Sequence, residues 1–358
     1  MRTDPRTPVL ILTGFLGSGK TTLLKQVLSQ PELSNSMVIV NEFGEVGIDH
    51  QLLDSSDDKT VLLDNGCMCC ELRGDLQELL LDLDMRRRAG SLPSFDRVII
   101  ETSGLAEPGP IAQTLYSDGP LAREFRLAHT IVLVDPLHGE LRAAAPNIAE
   151  SQISHADLLI ISKADLVSAP QIEAAKTWAK TINAYADCIS VAHGKFDLAR
   201  LIDAHPYQSP SFRRAGQGLF GRFLDQPEPD QSTTSEPRVA GAYLQRQMSL
   251  HPSSVSSFTL TLPASLDYDT FTLFLNTLIR ARGSDLLRVK GLVYFDGKPG
   301  VHLIQGVRHV FDKPLALDQN VSVQSLESTL VFIVQNMEKS EVEKLWEAIE
   351  VLMQKTNY

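Results

Sequence analysis

The sequence predicts an α/β protein, a mostly parallel sheet covered by helices, followed by a small α+β domain. Three observations carry this. Residues 1–204 alternate short β-branched apolar runs with stretches of helical period; a glycine-rich segment joins the first run to the first helix; and the composition turns Pro-, Gly-, Gln- and Ser-rich from about His205 to Gly241.

The alternation gives strands at Val9–Leu12, Met37–Val40, Thr60–Leu63, Arg97–Glu101, Thr130–Asp135, Asp157–Ser162 and Cys188–Val191. Helices are expected at Lys20–Ser29, Gly74–Arg88, Gly109–Ser117, Asn147–His155 and Pro170–Ile182. The stretch LDQPEPDQSTTSEPR is too polar and proline-rich for a helix or a central strand, so residues 205–241 read as a flexible linker between domains at 1–204 and 242–358. Beyond it the pattern gives strands at Ser254–Leu262, Leu286–Phe295, Val301–Phe311 and Ser328–Val334. Helices at Tyr268–Arg282 and Ser340–Met353 complete an antiparallel α+β unit, and no internal repeat is visible.

At 358 residues the chain has room for two cores, and 43% hydrophobic with 22% charged residues is an ordinary globular balance. No segment approaches the roughly 18 uncharged apolar residues of a membrane span. The N-terminal apolar run passes into a glycine motif rather than a cleavage site, so a cytoplasmic location is expected. A net charge of −11 argues against nucleic acid or an anionic membrane as the main partner, since both require a basic face.

Gly14-Phe15-Leu16-Gly17-Ser18-Gly19-Lys20-Thr21 satisfies G-x-x-x-x-G-K-[ST], with VLIL before it and the helical TTLLKQVL after it. Gly14, Gly17, Ser18 and Gly19 let backbone N–H groups turn around phosphate oxygens at a helix N-terminus. Lys20 is expected on the β- and γ-phosphates, Thr21 on Mg²⁺ and Thr22 on the α-phosphate. The fold class is therefore a P-loop NTPase.

Two further segments set the class. In RVIIETSG an apolar strand ends in Glu101, where a nucleotide hydrolase holds Mg²⁺ through water, and the following Gly104 leaves an amide free for the γ-phosphate. A solvated strand-end acid is the competing reading. In DLLIISKAD a buried strand delivers Ser162-Lys163-Ala164-Asp165, close to the base-reading N-K-x-D, with Ser162 in place of the Asn. A buried Asp165 would accept both N1–H and N2–H₂ of guanine, a donor pair that adenine lacks. Against this stands Asp165 as the N-cap of the following helix.

Three of the four cysteines crowd into TVLLDNGCMCC as Cys67, Cys69 and Cys70, too tightly for separate disulfides. Thiolates in that pattern suit Zn²⁺ or another thiophilic ion, with a carboxylate, imidazole or water completing four-coordination. NEFGEVGID adds Glu42, Glu45 and Asp49 after the second strand, where a P-loop switch senses γ-phosphate and Mg²⁺. These acids could serve Mg²⁺, the thiophilic ion, or both. His138, His193, His302 and His309 are scattered and read as ordinary residues.

Taken in order, GFLGSGKTTLL, NEFGEVGID, NGCMCC, ETSGLAEPGP and SKAD resemble the CobW-type metal-handling P-loop GTPases, relatives of the hydrogenase and urease nickel-insertion GTPases. LLRVKGLVYFDGKPGVHLIQGVRHVFD is similar to that family's C-terminal domain. The resemblance implies a slow GTPase, GTP + H₂O to GDP + phosphate. Zn²⁺, or Co²⁺, would sit at Cys67, Cys69 and Cys70 and pass to a client metalloprotein. It carries over Lys20, Thr21 and Glu101 for phosphate and Mg²⁺ and Lys163 and Asp165 for guanine; Glu42 and Glu45 of the acidic loop are further metal candidates on the reading of the residues alone. Such GTPases often pair across the nucleotide face, so a homodimer is a candidate assembly.

Val40 stands where some relatives carry an acid, and no histidine-rich storage stretch exists, so the chain reads as a carrier of one or a few ions. GTP·Mg²⁺ is expected to order the acidic loop and close the thiolate site, and hydrolysis to loosen it. A P-loop kinase and a non-catalytic metal sensor are the other classes. The cysteine turn argues against the first and the intact Lys20-Thr21 pair with Glu101 against the second.

Overall fold

The computed structural model describes residues 4–40, 60–62, 71–137, 145–192, 255–317 and 327–356. β1 (Thr7–Gly14) is buried along its whole length. Because successive side chains of a strand point to opposite faces, β1 feeds two layers. Val9 and Ile11 pack with Leu80 and Leu83 of α2 (Glu71–Arg88) and Leu115 of α3 (Pro108–Ser117), whereas Leu10 and Leu12 pack with Leu23 and Leu24 of α1 (Lys20–Leu28).

Around β1 lie β2 (Ser36–Val40), β3 (Thr60–Leu62), β4 (Arg97–Glu101), β5 (Phe125–Val134), β6 (Leu158–Ile161) and β7 (Asp187–Ser190). They form a seven-stranded sheet in the order β3-β2-β4-β1-β5-β6-β7, parallel at every described pairing. Short α4 (Gly119–Glu124), then α5 (Pro146–Ser154) and α6 (Ala169–Ile182), complete the described helical cover. The expected strands and helices of this half all form, with ends moved by up to a few residues; α4 was not foreseen. A parallel sheet places the carboxyl ends of its strands on one edge, where open α/β sheets bind ligands. The P-loop, Glu101 and the SKAD segment therefore leave the sheet together.

The second sheet contains β8 (Val255–Leu262), β9 (Leu286–Tyr294), β10 (Val301–Val307), β11 (Val310–Phe311), β12 (Leu315–Ala316) and β13 (Ser328–Gln335). Its order is β11-β10-β9-β13-β8, with β12 on β10, and its pairings are antiparallel. One face is covered by α7 (Tyr268–Arg282) and α8 (Lys339–Thr356), whose Phe274 and Trp346 rings meet edge to face at 5.3 Å. The single strand expected over Val301–Phe311 is instead a hairpin. Arg308 adopts a left-handed φ of 54° and turns the chain, and Gly306 leaves room for the Phe311 ring.

The two sheets meet through charge as well as apolar contact. Val307 and Val310 join the α2–α3 layer of the first domain. Asp157, at the entry to β6, accepts from Arg288 Nη2 and Lys290 Nζ of β9, both at 2.6 Å, and from the Thr130 amide at 2.9 Å. Burial alone would raise the Asp157 carboxyl, but the Arg288 and Lys290 charges outweigh it and hold it far below the ordinary carboxylate range. A second pin is Arg6, which donates to Asp4 at 2.9 Å and to Asp312 at 3.1 Å. Among the described residues no helix is long and apolar enough to cross a membrane.

Removing one member of a buried ion cluster leaves the others charged and desolvated. Asp157→Leu should cost about 3–5 kcal/mol in urea unfolding, whereas Asp82→Ala, which breaks the exposed Arg86–Asp82 pair of α2, should cost under about 0.5 kcal/mol. Beside this junction, burial drives the His155 imidazole down to about 4. The unfolded chain then binds the extra proton first, so this group's stabilisation is complete above its ordinary pKa near 6.5 and is lost as pH falls from there towards 4. The loss amounts to about 3 kcal/mol, and His155→Gln should flatten that part of the pH–stability curve.

Candidate nucleotide-binding site

The strand-to-helix passage at Gly14–Lys20 is built from glycines in conformations that other residues rarely adopt. Gly14, Gly17 and Gly19 have φ of 142°, 72° and 93°. A Cβ on Gly14 would lie 2.5 Å from the Leu133 carbonyl oxygen of β5, so the loop crosses its neighbouring strand at backbone contact. Lys20 is 9% exposed and folds over this loop, its Nζ donating to the carbonyls of Gly14 at 2.9 Å and Phe15 at 3.3 Å. α1 begins at Lys20 with no acid in its first turn, so its positive dipole end is left to an anion.

Beside it, Thr21 Oγ1 donates to Glu101 Oε1 at 2.7 Å. Glu101 ends β4 and is 4% exposed, which sets aside the solvated-acid reading. β4 is tied to β1 beyond its last residue: the Thr102 amide donates to Leu12 O at 3.0 Å, and Thr102 Oγ1 donates to Thr13 Oγ1 at 2.7 Å. The chain then closes on the P-loop, where a Cβ on Gly104 would stand 2.5 Å from Leu16 N and 2.7 Å from Leu16 Cα. Only glycine permits this approach, which brings the backbone at Gly104 beside the phosphate loop.

A cleft of about 440 Å³ unites these groups. Gly17, Gly19, Lys20, Thr21, Thr22, Glu101, Gly104 and Lys163 line it. Gly14 and Ser18 are not on its wall. Ser18 is 1% exposed and its Oγ, buried without a hydrogen-bond partner among the described residues, faces the Gly14 backbone.

On the base-reading side, β6 ends at Ile161 and Lys163 takes a left-handed φ of 53°. Asp135, buried at the end of β5, holds its ammonium at 2.8 Å and accepts the Leu137 amide at 2.8 Å. The turn throws Ala164–Leu166 outward, so Asp165 is exposed rather than buried as the apolar strand before it suggested. Its alternative role as a helix cap also falls away. Ser168 is the N-cap of α6, its amide donating to Gln171 Oε1 at 2.9 Å.

Two contributors went unread in the sequence. Asp135 could have been flagged by the rule that found Glu101, an acid at the carboxyl end of a parallel strand. Gln152 of α5, whose side-chain amide donates to the carbonyls of Gly104 and Ala106, gave no local signal, since the loop it meets is distant in the chain. Glu42, Glu45, Asp49, Cys67, Cys69, Cys70, His138 and His193 lie outside the described residues. Within those residues no cluster of three or more His, Cys, Asp or Glu could hold a metal ion.

Comparison with known proteins agrees with this geometry. The family model for the CobW/HypB/UreG nucleotide-binding domain matches residues 8–190. The chain belongs to the CobW/HypB/UreG family. The model for the cobalamin synthesis protein cobW C-terminal domain matches residues 255–350. Relatives include the zinc chaperone YjiA of Escherichia coli, 32% identical over 93% of this chain and 96% of that protein. The zinc-regulated GTPase metalloprotein activator 1 of Schizosaccharomyces pombe is 30% identical over 86% of this chain and 77% of its own length. The crystal structure of Zn(II)-bound YjiA GTPase from E. coli superposes with a TM-score of 0.62 at 27% identity, covering 96% of this chain and 99% of that one.

In this CobW-type chain the Gly104 contact is the most exacting one at the cleft. Gly104→Ala should push the loop off Leu16 and lower triphosphate turnover on the order of 100-fold. Diphosphate affinity should stay within about twofold, because a diphosphate lacks the γ-phosphate expected to reach that loop; steady-state turnover and titration calorimetry read the two effects.

Proposed function

We propose that this protein is a GTP-hydrolysing metallochaperone that binds zinc and delivers it to client metalloproteins under nucleotide control. The chain is a GTPase of the CobW type. Its relatives named zinc chaperone and zinc-regulated GTPase metalloprotein activator align with it over most of its length, which supports zinc as the cargo.

Catalysis is positioning and charge stabilisation. Lys20 neutralises the β- and γ-phosphate oxygens, the P-loop and Gly104 amides point at the groups where charge develops, and Lys163 and Asp165 hold guanine. Thr21 and Glu101 are hard oxygen donors 2.7 Å apart, a donor set that suits Mg²⁺. Bound there, Mg²⁺ would supply charge neutralisation between the phosphates.

The observation that carries the metal half of the reading is a register. Val40 pairs with Glu101 on one side and with Leu62 on the other. The chain thus leaves β2, the neighbour of the strand that ends in Glu101, two residues before Glu42, and leaves β3, one strand further out, five residues before Cys67. We assign Zn²⁺ to Cys67, Cys69 and Cys70, with Glu42 or Glu45 completing the set. A shared sheet edge lets γ-phosphate and metal bias the same segments. The domains at 1–204 and 242–358 divide the work, the first holding nucleotide and metal and the second meeting the client.

Two variants test the two halves. Asp165→Asn should weaken GTP on the order of 100-fold or more and admit xanthosine triphosphate, whose 2-oxo group can accept from the new amide; retained GTP preference would contradict guanine reading by Asp165. Cys67→Ser/Cys69→Ser/Cys70→Ser should abolish stoichiometric zinc in metal analysis while leaving GTP affinity equal to that of the zinc-free native protein, and zinc retained at one equivalent would place the cargo site elsewhere.

A further inference from the structure

We propose that Gln152 is a positioning residue for GTP hydrolysis, fixing the loop that meets the γ-phosphate, and that its helix makes the C-terminal domain part of the same nucleotide sensor. Gln152 is 1% exposed, although glutamine is ordinarily a surface residue. Its side-chain amide is committed to a single loop, with Nε2 donating to the carbonyls of Gly104 at 3.2 Å and Ala106 at 3.0 Å. Those two carbonyls belong to the turn closed by the Ala106 amide on Ser103 O at 3.2 Å. Held in this way, the Gly104 backbone rests against Leu16 of the P-loop, where a Cβ would not fit. The loop cannot move off the phosphate side without leaving a buried amide and two carbonyls unsatisfied, the costly half of hydrogen-bond energetics.

The same C-terminal turn of α5, three residues further on, is held by the second domain. Arg288 of β9 donates through Nη1 to the carbonyl of His155, the C-cap of α5, and through Nη2 to Asp157 at 2.6 Å. A guanidinium fork reaches both acceptors in a fixed geometry that an ammonium cannot reproduce. The last turn of α5 therefore carries both the buried amide on the loop beside the P-loop and the C-cap carbonyl held by the C-terminal domain. A shift of that loop between triphosphate and diphosphate states is transmitted as a shift of α5 against β9. The nucleotide state is in this way legible at the domain that meets the client.

This inference rests on the reading of Gly104 as the γ-phosphate contact, and the experiment separates the two. Amide exchange at residues 102–107 is measured in the full-length protein with a non-hydrolysable GTP analogue and with GDP. Slower exchange with the analogue supports the Gly104 reading; identical exchange removes it and the present proposal together. With that reading in place, Gln152→Leu should weaken the GTP analogue about tenfold, ~1.4 kcal/mol, while GDP affinity stays within about twofold. An equal loss for both nucleotides, or no loss, overturns the role of Gln152. Should Gln152→Leu not purify folded, Gln152→Glu keeps the shape, replaces the donor by an acceptor and carries the same expectation. Arg288→Lys keeps the charge beside Asp157 and should reduce the analogue-to-GDP affinity ratio by at least about twofold; an unchanged ratio overturns the link to the C-terminal domain.

Discussion

The contact on which the rest of this structure depends is the one between the first and fourth strands at their carboxyl ends. There Thr21 meets Glu101, Thr102 meets Thr13, and Gly104 meets Leu16. Each is a short-range contact that exists only because β1 and β4 are parallel neighbours in register from Val9↔Val98 to Leu12↔Glu101. A slip of one residue would turn Glu101 to the opposite face of the sheet and leave a buried carboxylate among the α2–α3 apolar side chains. The apolar alternation of both strands opposes that slip, since Val9 and Ile11 belong to one layer and Leu10 and Leu12 to the other. The hydrophobic pattern that stabilises the sheet is thus the device that aims the phosphate site.

The legibility of the fold follows from the same physics. β4 was readable to the residue because an unbroken run of β-branched side chains ends in a charge, and α7 because Asp267 caps it and accepts the Thr270 amide at 2.8 Å. The Val301–Phe311 hairpin was not, because Arg308 occupies a left-handed turn position that sequence patterns assign to glycine or asparagine. In the site, the P-loop and Glu101 were visible because their chemistry is local. Asp135 and Gln152 act on residues 28 and 48 positions away in the chain, and no periodicity or short motif encodes a partner at that distance. The outward turn of Asp165 was likewise hidden, being set by the backbone of Lys163 rather than by the apolar run that precedes it.

The C-terminal domain is more than an appendage. Its β9 places Arg288 and Lys290 against Asp157, and its β10–β11 hairpin inserts Val307 and Val310 beside α3. Charged groups so deeply buried cost desolvation that ion pairing only offsets, and their usual return is geometric definition rather than stability. Here that definition fixes the second sheet to β6 and α5, the elements that adjoin the Ser162–Asp165 turn and the loop at Gly104. The delivery of metal proposed above would use such a connection, since a client docked on one domain would have to respond to hydrolysis on the other.

The central claim is that nucleotide and metal share one sheet edge and therefore share free energy. Its most direct measurement is the zinc affinity of the full-length protein, by competition with a chelator, saturated in turn with a non-hydrolysable GTP analogue and with GDP, each with Mg²⁺. The account predicts tighter zinc binding with the analogue, by the fivefold or more, about 1 kcal/mol, that linkage between coupled sites typically gives; equal affinities in the two nucleotide states would contradict it.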